Sequence, residues 1–100
     1  MNMQQMVAQA QRMQRELQKA LKQLEEKEFE LNKAGMVTVK MYGSNKIISI
    51  DVDEDAFEKD NKEMVEDMIA AAVNELLDRI ASEREAINER ITGQKGGFGF

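Results

Sequence analysis

The residue types present limit the chemistry that this chain can perform. Neither Cys nor His occurs among its 100 residues. Zinc and iron sites therefore lack their usual ligands, and no Ser-His or Cys-His nucleophile can form. The alternating carboxylates of Asp51, Asp53 and Asp55 could in principle serve acid–base chemistry or hold Mg²⁺ or Ca²⁺. The segment lacks the glycine and the closing glutamate of a twelve-residue calcium loop. We therefore expect no enzyme activity, no metal site and no cofactor.

The basic residues favour a different chemistry, the binding of phosphates. The formal net charge is −5, yet residues 1–24 carry Arg12, Arg15, Lys19 and Lys22 against Glu16 alone. The acidity is concentrated in residues 51–67, which hold nine acids and two lysines. Solvated helix faces usually mix charges of both signs as i,i+4 pairs. The basic segment, residues 1–24, therefore presents either an ordinary solvated helix face or a surface for phosphates.

A long helix is predicted to position these cations. Residues 1–27 contain no Pro or Gly, and apolar residues recur at alternating spacings of three and four, which is the a/d pattern of a coiled-coil seam. The seam positions are Met3, Met6, Ala10, Met13, Leu17, Ala20 and Leu24. In this register Arg12 and Lys19 occupy c positions, and Arg15 and Lys22 occupy f positions. All four cations thus lie on the face away from the seam.

The next part of the chain alternates as strands do. Residues 28–32, 36–42 and 46–52 predict three strands, joined by turns at 33–35 and 43–45. In the third strand, alternation places Ile48, Ile50 and Val52 on one face and Ile47 on the other. An acidic connection at 53–61 leads to a second long helix at 62–91, whose apolar face is wide enough to contact a sheet and a further surface. Its second half is expected to pack along the first helix. Residues 92–100 predict a flexible, glycine-rich tail.

These elements predict an α+β fold of the order α-β-β-β-α, with a three-stranded antiparallel meander flanked by two long helices. We expect one domain over residues 1–91, with protruding helical arms. A chain of this size with surplus apolar helix surface is expected to form an obligate homodimer. We predict that Met64, Met68, Ala72 and Leu76 form its interface.

The order of these features resembles the YbaB/EbfC family of bacterial nucleoid-associated proteins. The resemblance rests on the Met- and Gln-rich heptads, on the stretches AGMVTVKMYGSNKIISIDVDED and DNKEMVEDMIAAAVNEL, and on the glycine-rich end. It implies a tweezer-like homodimer that binds double-stranded DNA with limited sequence preference and influences nucleoid organisation and gene expression. It also implies DNA contacts on the helical arms. On this chain those positions are Arg12, Arg15, Lys19 and Lys22, with Arg84, Arg90 and Lys95 as weaker candidates.

A second function stays open at this stage. Helical arms lined by Met and Ala could instead clamp a protein partner, because methionine-rich grooves adapt to many ligands. An exposed seam on the first helix would favour a protein ligand, and a buried seam with exposed cations would favour DNA. No apolar run approaches the roughly 20 residues of a membrane span, and no signal peptide is recognisable. We therefore expect a location in the cytoplasm on the nucleoid, with no membrane or small-molecule partner.

Overall fold

The computed structural model describes residues 2–93 and confirms the predicted α+β order. Two short 3₁₀ turns, Glu54–Ala56 and Lys59–Asn61, connect the sheet to the second long helix. The other elements are α1 (Met3–Glu26), β1 (Glu28–Lys33), β2 (Val37–Tyr42), β3 (Ile47–Val52) and α2 (Lys62–Thr92). No helix within residues 2–93 is long and apolar enough to cross a membrane.

Helix α1 begins with a reciprocal cap. The Oδ1 atom of Asn2 accepts a hydrogen bond from the Gln5 backbone nitrogen at 2.8 Å, and the Asn2 nitrogen donates to Gln5 Oε1 at 3.3 Å. This capping box pairs donors that a helix end otherwise leaves unsatisfied. The helix ends at Glu26, and the extended backbone of the C-cap residue Lys27 leads directly into β1. Its 24 residues give a rod of about 36 Å.

The three strands form one antiparallel sheet in the order β1-β2-β3. Val39 lies opposite Ile50, and Val37 opposite Val52. An irregularity between Lys40 and Met41 then places Ile47 opposite Met41, so Ile48 is the extra residue of a β-bulge. The prediction that put Ile47 on the opposite face from Ile50 was wrong, because a bulge interrupts the strict alternation of side chains.

The core lies between this sheet and the first half of α2. The fully buried side chains on α2 are Ala72, Leu76 and Ile80, and those on β2 are Val37, Val39 and Met41. Helix α2 contacts β1 and β2 but leaves the edge strand β3 largely uncovered. The two elements therefore bound an apolar cleft that opens to solvent, which we call the open wedge. Val52, Phe57, Val65 and Ile69 line it, and the exposed Ile47 and Ile50 extend it along β3, opposite the buried Met41 and Val39.

The second half of α2 packs beside α1, as predicted, and the two helices form an arm. Lys27 Nζ lies 2.6 Å from Glu83 Oε1, and farther out Ala20 and Leu24 share a groove with Ile87 and Arg90. The helices are therefore antiparallel. Leu17 lies roughly level with the described end of α2, and the first three turns of α1 extend beyond it. The molecule is accordingly elongated, with a longest dimension of 69 Å.

Candidate nucleic-acid interface

Four cations follow the outer face of α1, and we call them the basic stripe. They are Arg12, Arg15, Lys19 and Lys22, and all four are solvent-exposed. From the first to the last the helix rises about 15 Å. Phosphates of one DNA strand repeat about every 3.4 Å along the duplex axis. The basic stripe therefore has the length of about four phosphate-to-phosphate steps.

The charges of the basic stripe are not neutralised within the described chain. Among residues 2–93, none of the four forms a salt bridge, although Glu16 lies on the same helix. Other lysines do find carboxylates, namely Lys27, Lys33, Lys40 and Lys62. An unpaired exposed cation can neutralise a phosphate without first breaking an internal ion pair. The basic stripe is therefore the part of the described surface best suited to a polyanion.

The main acidic segment lies far from the arm. Its residues follow β3 and enter the first turns of α2, and Asp60, Glu63 and Asp67 line one shallow depression there with Lys33. Helix α2 has 31 residues and is about 46 Å long, so these acids lie at the end remote from the tip of the arm. Screening lengths in physiological salt are about 8 Å. The acidic segment therefore leaves the potential at the basic stripe largely unchanged.

One of the acids that alternate at the end of β3, Asp53, caps the backbone that follows. The Oδ1 atom of Asp53 accepts a hydrogen bond from the Asp55 backbone nitrogen at 3.0 Å and caps the following 3₁₀ turn. Within residues 2–93 no group of three or more carboxylates is placed to hold a metal ion.

Arg84 occupies a structural position instead of an open surface of the arm. It is half-buried, and its Nη2 atom donates a hydrogen bond to the Gly43 carbonyl oxygen at 3.1 Å. The Gly43 nitrogen in turn donates to the Lys27 carbonyl at 2.8 Å. The turn between β2 and β3 is thereby tied to both helices. Sequence spacing carried no signal for this contact, because Gly43 and Arg84 are 41 positions apart.

The remaining candidates for DNA contact differ in accessibility. Arg90 is exposed beside the groove between the two arm helices, where Glu83 also lies. Lys95 lies outside the described residues, as do most of the residues predicted to form a flexible tail. The arm part of α2 also carries Glu85 and Glu89, both exposed. Among residues 2–93, the aligned exposed cations of the arm are therefore those of α1.

The residues predicted to form a dimer interface are divided by the fold. Ala72 and Leu76 are fully buried against the chain's own sheet. Met64 is exposed and Met68 is half-buried, and both lie on the flank of α2 that faces Lys33. Ala72 and Leu76 consequently have no accessible surface to offer a second copy. The sequence prediction did not identify the open wedge on the opposite flank, although the i,i+4 spacing of Val65 and Ile69 indicated a second apolar stripe.

One ion pair outside the interface joins α2 to the sheet. Lys33 Nζ on β1 lies 2.6 Å from Glu75 Oε2. The hydrogen bond from Lys33, with its positive charge, lowers the pKa of Glu75 below the ordinary value of 4.5. The pair is solvent-exposed, so its contribution to stability is small.

Comparison with known proteins assigns the chain to a family. The sequence profile of the YbaB/EbfC DNA-binding family matches residues 1–95. The chain is 35% identical to a nucleoid-associated protein of Malacoplasma penetrans over 89% of its own length and 95% of that protein. It is 39% identical to one of Clostridium novyi, with 93% and 82% covered. A Ureaplasma urealyticum protein of the same description is 34% identical, with 98% and 99% covered. By the extent of these matches, this chain belongs to the YbaB/EbfC DNA-binding family.

Proposed function

We propose that this protein binds double-stranded DNA on the bacterial nucleoid, through the basic stripe and mainly by contacts to the phosphate backbone. The observation that carries the proposal is that four cations align on one exposed face of α1 and form no salt bridge within residues 2–93. Neutralising phosphates releases the counterions that surround DNA, and this release drives binding. Effects on nucleoid organisation and gene expression would follow from occupancy of many sites.

The active form is a homodimer in this proposal. The exposed apolar side chains of the open wedge support it, since Phe57 is 75% exposed and Ile47 and Ile50 are also exposed. The edge strand β3 also offers unpaired backbone groups, and edge strands that are apolar and uncovered associate readily. A second copy placed on the open wedge would bury these residues and give the dimer two arms. The interface proposed here thus differs from the set predicted from the sequence. Met64 and Met68 belong to the same helix, α2, but lie on the flank opposite the open wedge.

The dimer can be tested by a single charge. Ile50→Asp puts a carboxylate into the open wedge and should convert the protein to particles of half the mass in sedimentation equilibrium. Ile48→Asp, at the bulge residue of the same strand, is the matched control for any general weakening of β3. A dimer that survives Ile50→Asp unchanged would exclude the open wedge as the interface.

DNA binding predicts a strong dependence on salt. If four cations from each of two arms reach phosphates, log K against log salt should have a slope of roughly −7. Nothing in the stripe is arranged to read bases, so affinity should vary little among duplexes of equal length. Fluorescence anisotropy of a labelled duplex, at several salt concentrations, measures both properties.

A charge-matched pair of variants separates the basic stripe from net charge. The first variant changes Arg12, Arg15, Lys19 and Lys22 to Gln. The second changes Lys40, Lys46, Lys59 and Lys62 to Gln and removes the same total charge from exposed positions away from the arm. The first should lose salt-sensitive binding and the second should keep it. Equal losses in both variants would show that only overall charge matters, and absence of binding by the unaltered protein at low salt would refute the proposal.

The clamp hypothesis is also supported by one observation. The seam of α1 is buried from Leu17 onward but exposed near its start, where Met3 is 79% and Met6 57% exposed. An exposed seam was the feature expected of a protein ligand, and exposed cations were the feature expected of DNA. Both occur on the same helix, on opposite faces, so a protein contact and a DNA contact are compatible.

A further inference from the structure

Half of the α1 seam has no partner in the described chain. Leu17 and Leu24 are buried against α2, whereas Met3, Met6 and Ala10 are exposed and Met13 is half-buried. The reason is geometric, because α1 extends past the described end of α2. Val7 widens the uncovered strip and is also exposed. The uncovered part therefore continues the interhelical contact already formed within the arm.

The uncovered strip carries more apolar side chains than an ordinary solvent-exposed helix face. Its seam positions continue the alternating three–four spacing of the paired half without interruption. Single exposed apolar residues are ordinary on protein surfaces, but a contiguous row at the spacing of a coiled coil indicates a contact surface. Methionine side chains suit such a surface because they are flexible and polarisable.

We propose that the uncovered seam, residues 3–13, pairs with the same segment of a second copy of this protein that belongs to a different particle. The flanking e and g positions within residues 3–13 favour a like partner, since they are Val7 and Gln9 and carry no charge. Charges at these positions normally select or reject a partner. Without such charges, two identical seams can pair without electrostatic repulsion. A highly charged partner helix would have no opposite charges to pair with at these positions.

The consequence for DNA rests on the proposed function. The basic stripe and the seam are on opposite faces of α1, so an arm that lies on a duplex through its cations turns the seam away from that duplex. A second DNA-bound copy can then pair with it. Seam pairing thereby links neighbouring copies on one duplex or bridges two duplexes.

Seam pairing is expected to be weak in free solution. The segment rises only about 15 Å, which is about one and a half heptads and short for an independent coiled coil. DNA that holds many copies close together raises their effective concentration into the range where weak contacts form. Pairing should consequently be much more extensive on DNA than off it.

The absence of native cysteine makes the test direct. Ala10→Cys places one thiol on the seam. Gln11→Cys places one at an exposed b position of the same helix, away from both the seam and the c and f positions of the basic stripe, and serves as the matched control. Disulfide formation between copies is measured with and without duplex DNA. The seam thiol should cross-link at least about fivefold faster than the control on DNA, because only that pair is held in contact. If the seam thiol and the control thiol cross-link at equal rates, both with DNA and without it, the proposal is overturned.

The mass of the product shows which copies are joined. Cross-linked Ala10→Cys should form particles of at least twice the native mass of the uncross-linked protein. An unchanged mass would place the contact inside the existing particle and overturn the proposal. If cross-linking becomes fast only after deletion of residues 94–100, those residues occupy the seam in the full chain, which also refutes pairing with a second copy.

A second variant separates this inference from DNA binding itself. Changing Met3, Met6 and Met13 to Gln removes the apolar seam without changing charge. It should keep single-duplex affinity within twofold and lose the capture of a second duplex by an immobilised, protein-coated one. Unimpaired capture would contradict seam pairing. If the unaltered protein binds no DNA, the proposed function fails, while cross-linking of concentrated free protein still tests the seam.

Discussion

The turn at Gly43, which joins β2 to β3 and is hydrogen-bonded to both helices, gives the sharpest prediction. A single methyl group at this position should disturb these contacts. A Cβ atom at position 43 would lie 1.8 Å from the Leu24 carbonyl oxygen and 2.7 Å from its carbon. Both are backbone atoms near the end of α1, so no side-chain rotation relieves the overlap. Reaching even a 3.0 Å contact requires a separation of about 1.2 Å.

Such a displacement would break two hydrogen bonds at once. The Gly43 nitrogen donates to the Lys27 carbonyl at 2.8 Å, and the Gly43 carbonyl accepts from Arg84 at 3.1 Å. A neutral bond contributes about 1 kcal/mol, and one to a charged group about 1.5–3 kcal/mol. Alanine also lowers the conformational entropy of the unfolded chain, which offsets about 0.4–1 kcal/mol of this loss in stability. We therefore expect Gly43→Ala to lower the free energy of unfolding by about 2–3 kcal/mol.

Urea unfolding followed by circular dichroism, at one fixed protein concentration, measures this loss. With a slope near 1.5 kcal/mol per molar, the midpoint should fall by about 1–2 M. Ser44→Ala, at the exposed next residue of the same turn, is the control and should stay within about 0.5 kcal/mol of the unaltered protein. If Gly43→Ala is as stable as Ser44→Ala, the turn does not hold the arm to the sheet as described.

Three further predictions concern stability. Arg84→Gln should lower the free energy of unfolding by about 1.5–3 kcal/mol while leaving the salt slope of DNA binding unchanged; a shallower slope would return Arg84 to the DNA contacts. Leu76→Ala should cost about 2–5 kcal/mol in urea unfolding even at protein concentrations where any dimer dissociates, because its cavity forms inside one chain. The ion pair of Lys33 with Glu75 should stabilise the fold above pH 4.5, since the folded-state pKa of Glu75 is lowered, and its effect should vanish as the pH falls through that lowered pKa. The difference in stability between the unaltered protein and Glu75→Gln should accordingly shrink in acid, and a constant difference would exclude the linkage.

Local pattern predicted the elements and the register of the basic stripe. The alternating spacing of its apolar residues defines the seam of α1. The helix face that carries Arg12 and Lys19 could therefore be predicted without any tertiary information. Strand alternation and the turn residues predicted three strands within one residue of their observed bounds. These features depend on neighbours within one or two turns of the chain, where backbone geometry fixes which side chains share a face.

Only the tertiary structure decided which apolar surfaces remain open. The sequence showed that α2 has a wide apolar face but not that Ala72 and Leu76 turn toward the sheet while Val65 and Ile69 border the open wedge. It likewise showed the full seam of α1 but not that α2 covers only half of it. Arg84 was predicted as a weaker candidate for DNA contact, and only the tertiary structure shows that it donates a hydrogen bond to the Gly43 carbonyl. The physical reason is common to all three: burial depends on how far separate elements overlap in space, and residues distant in sequence determine that overlap.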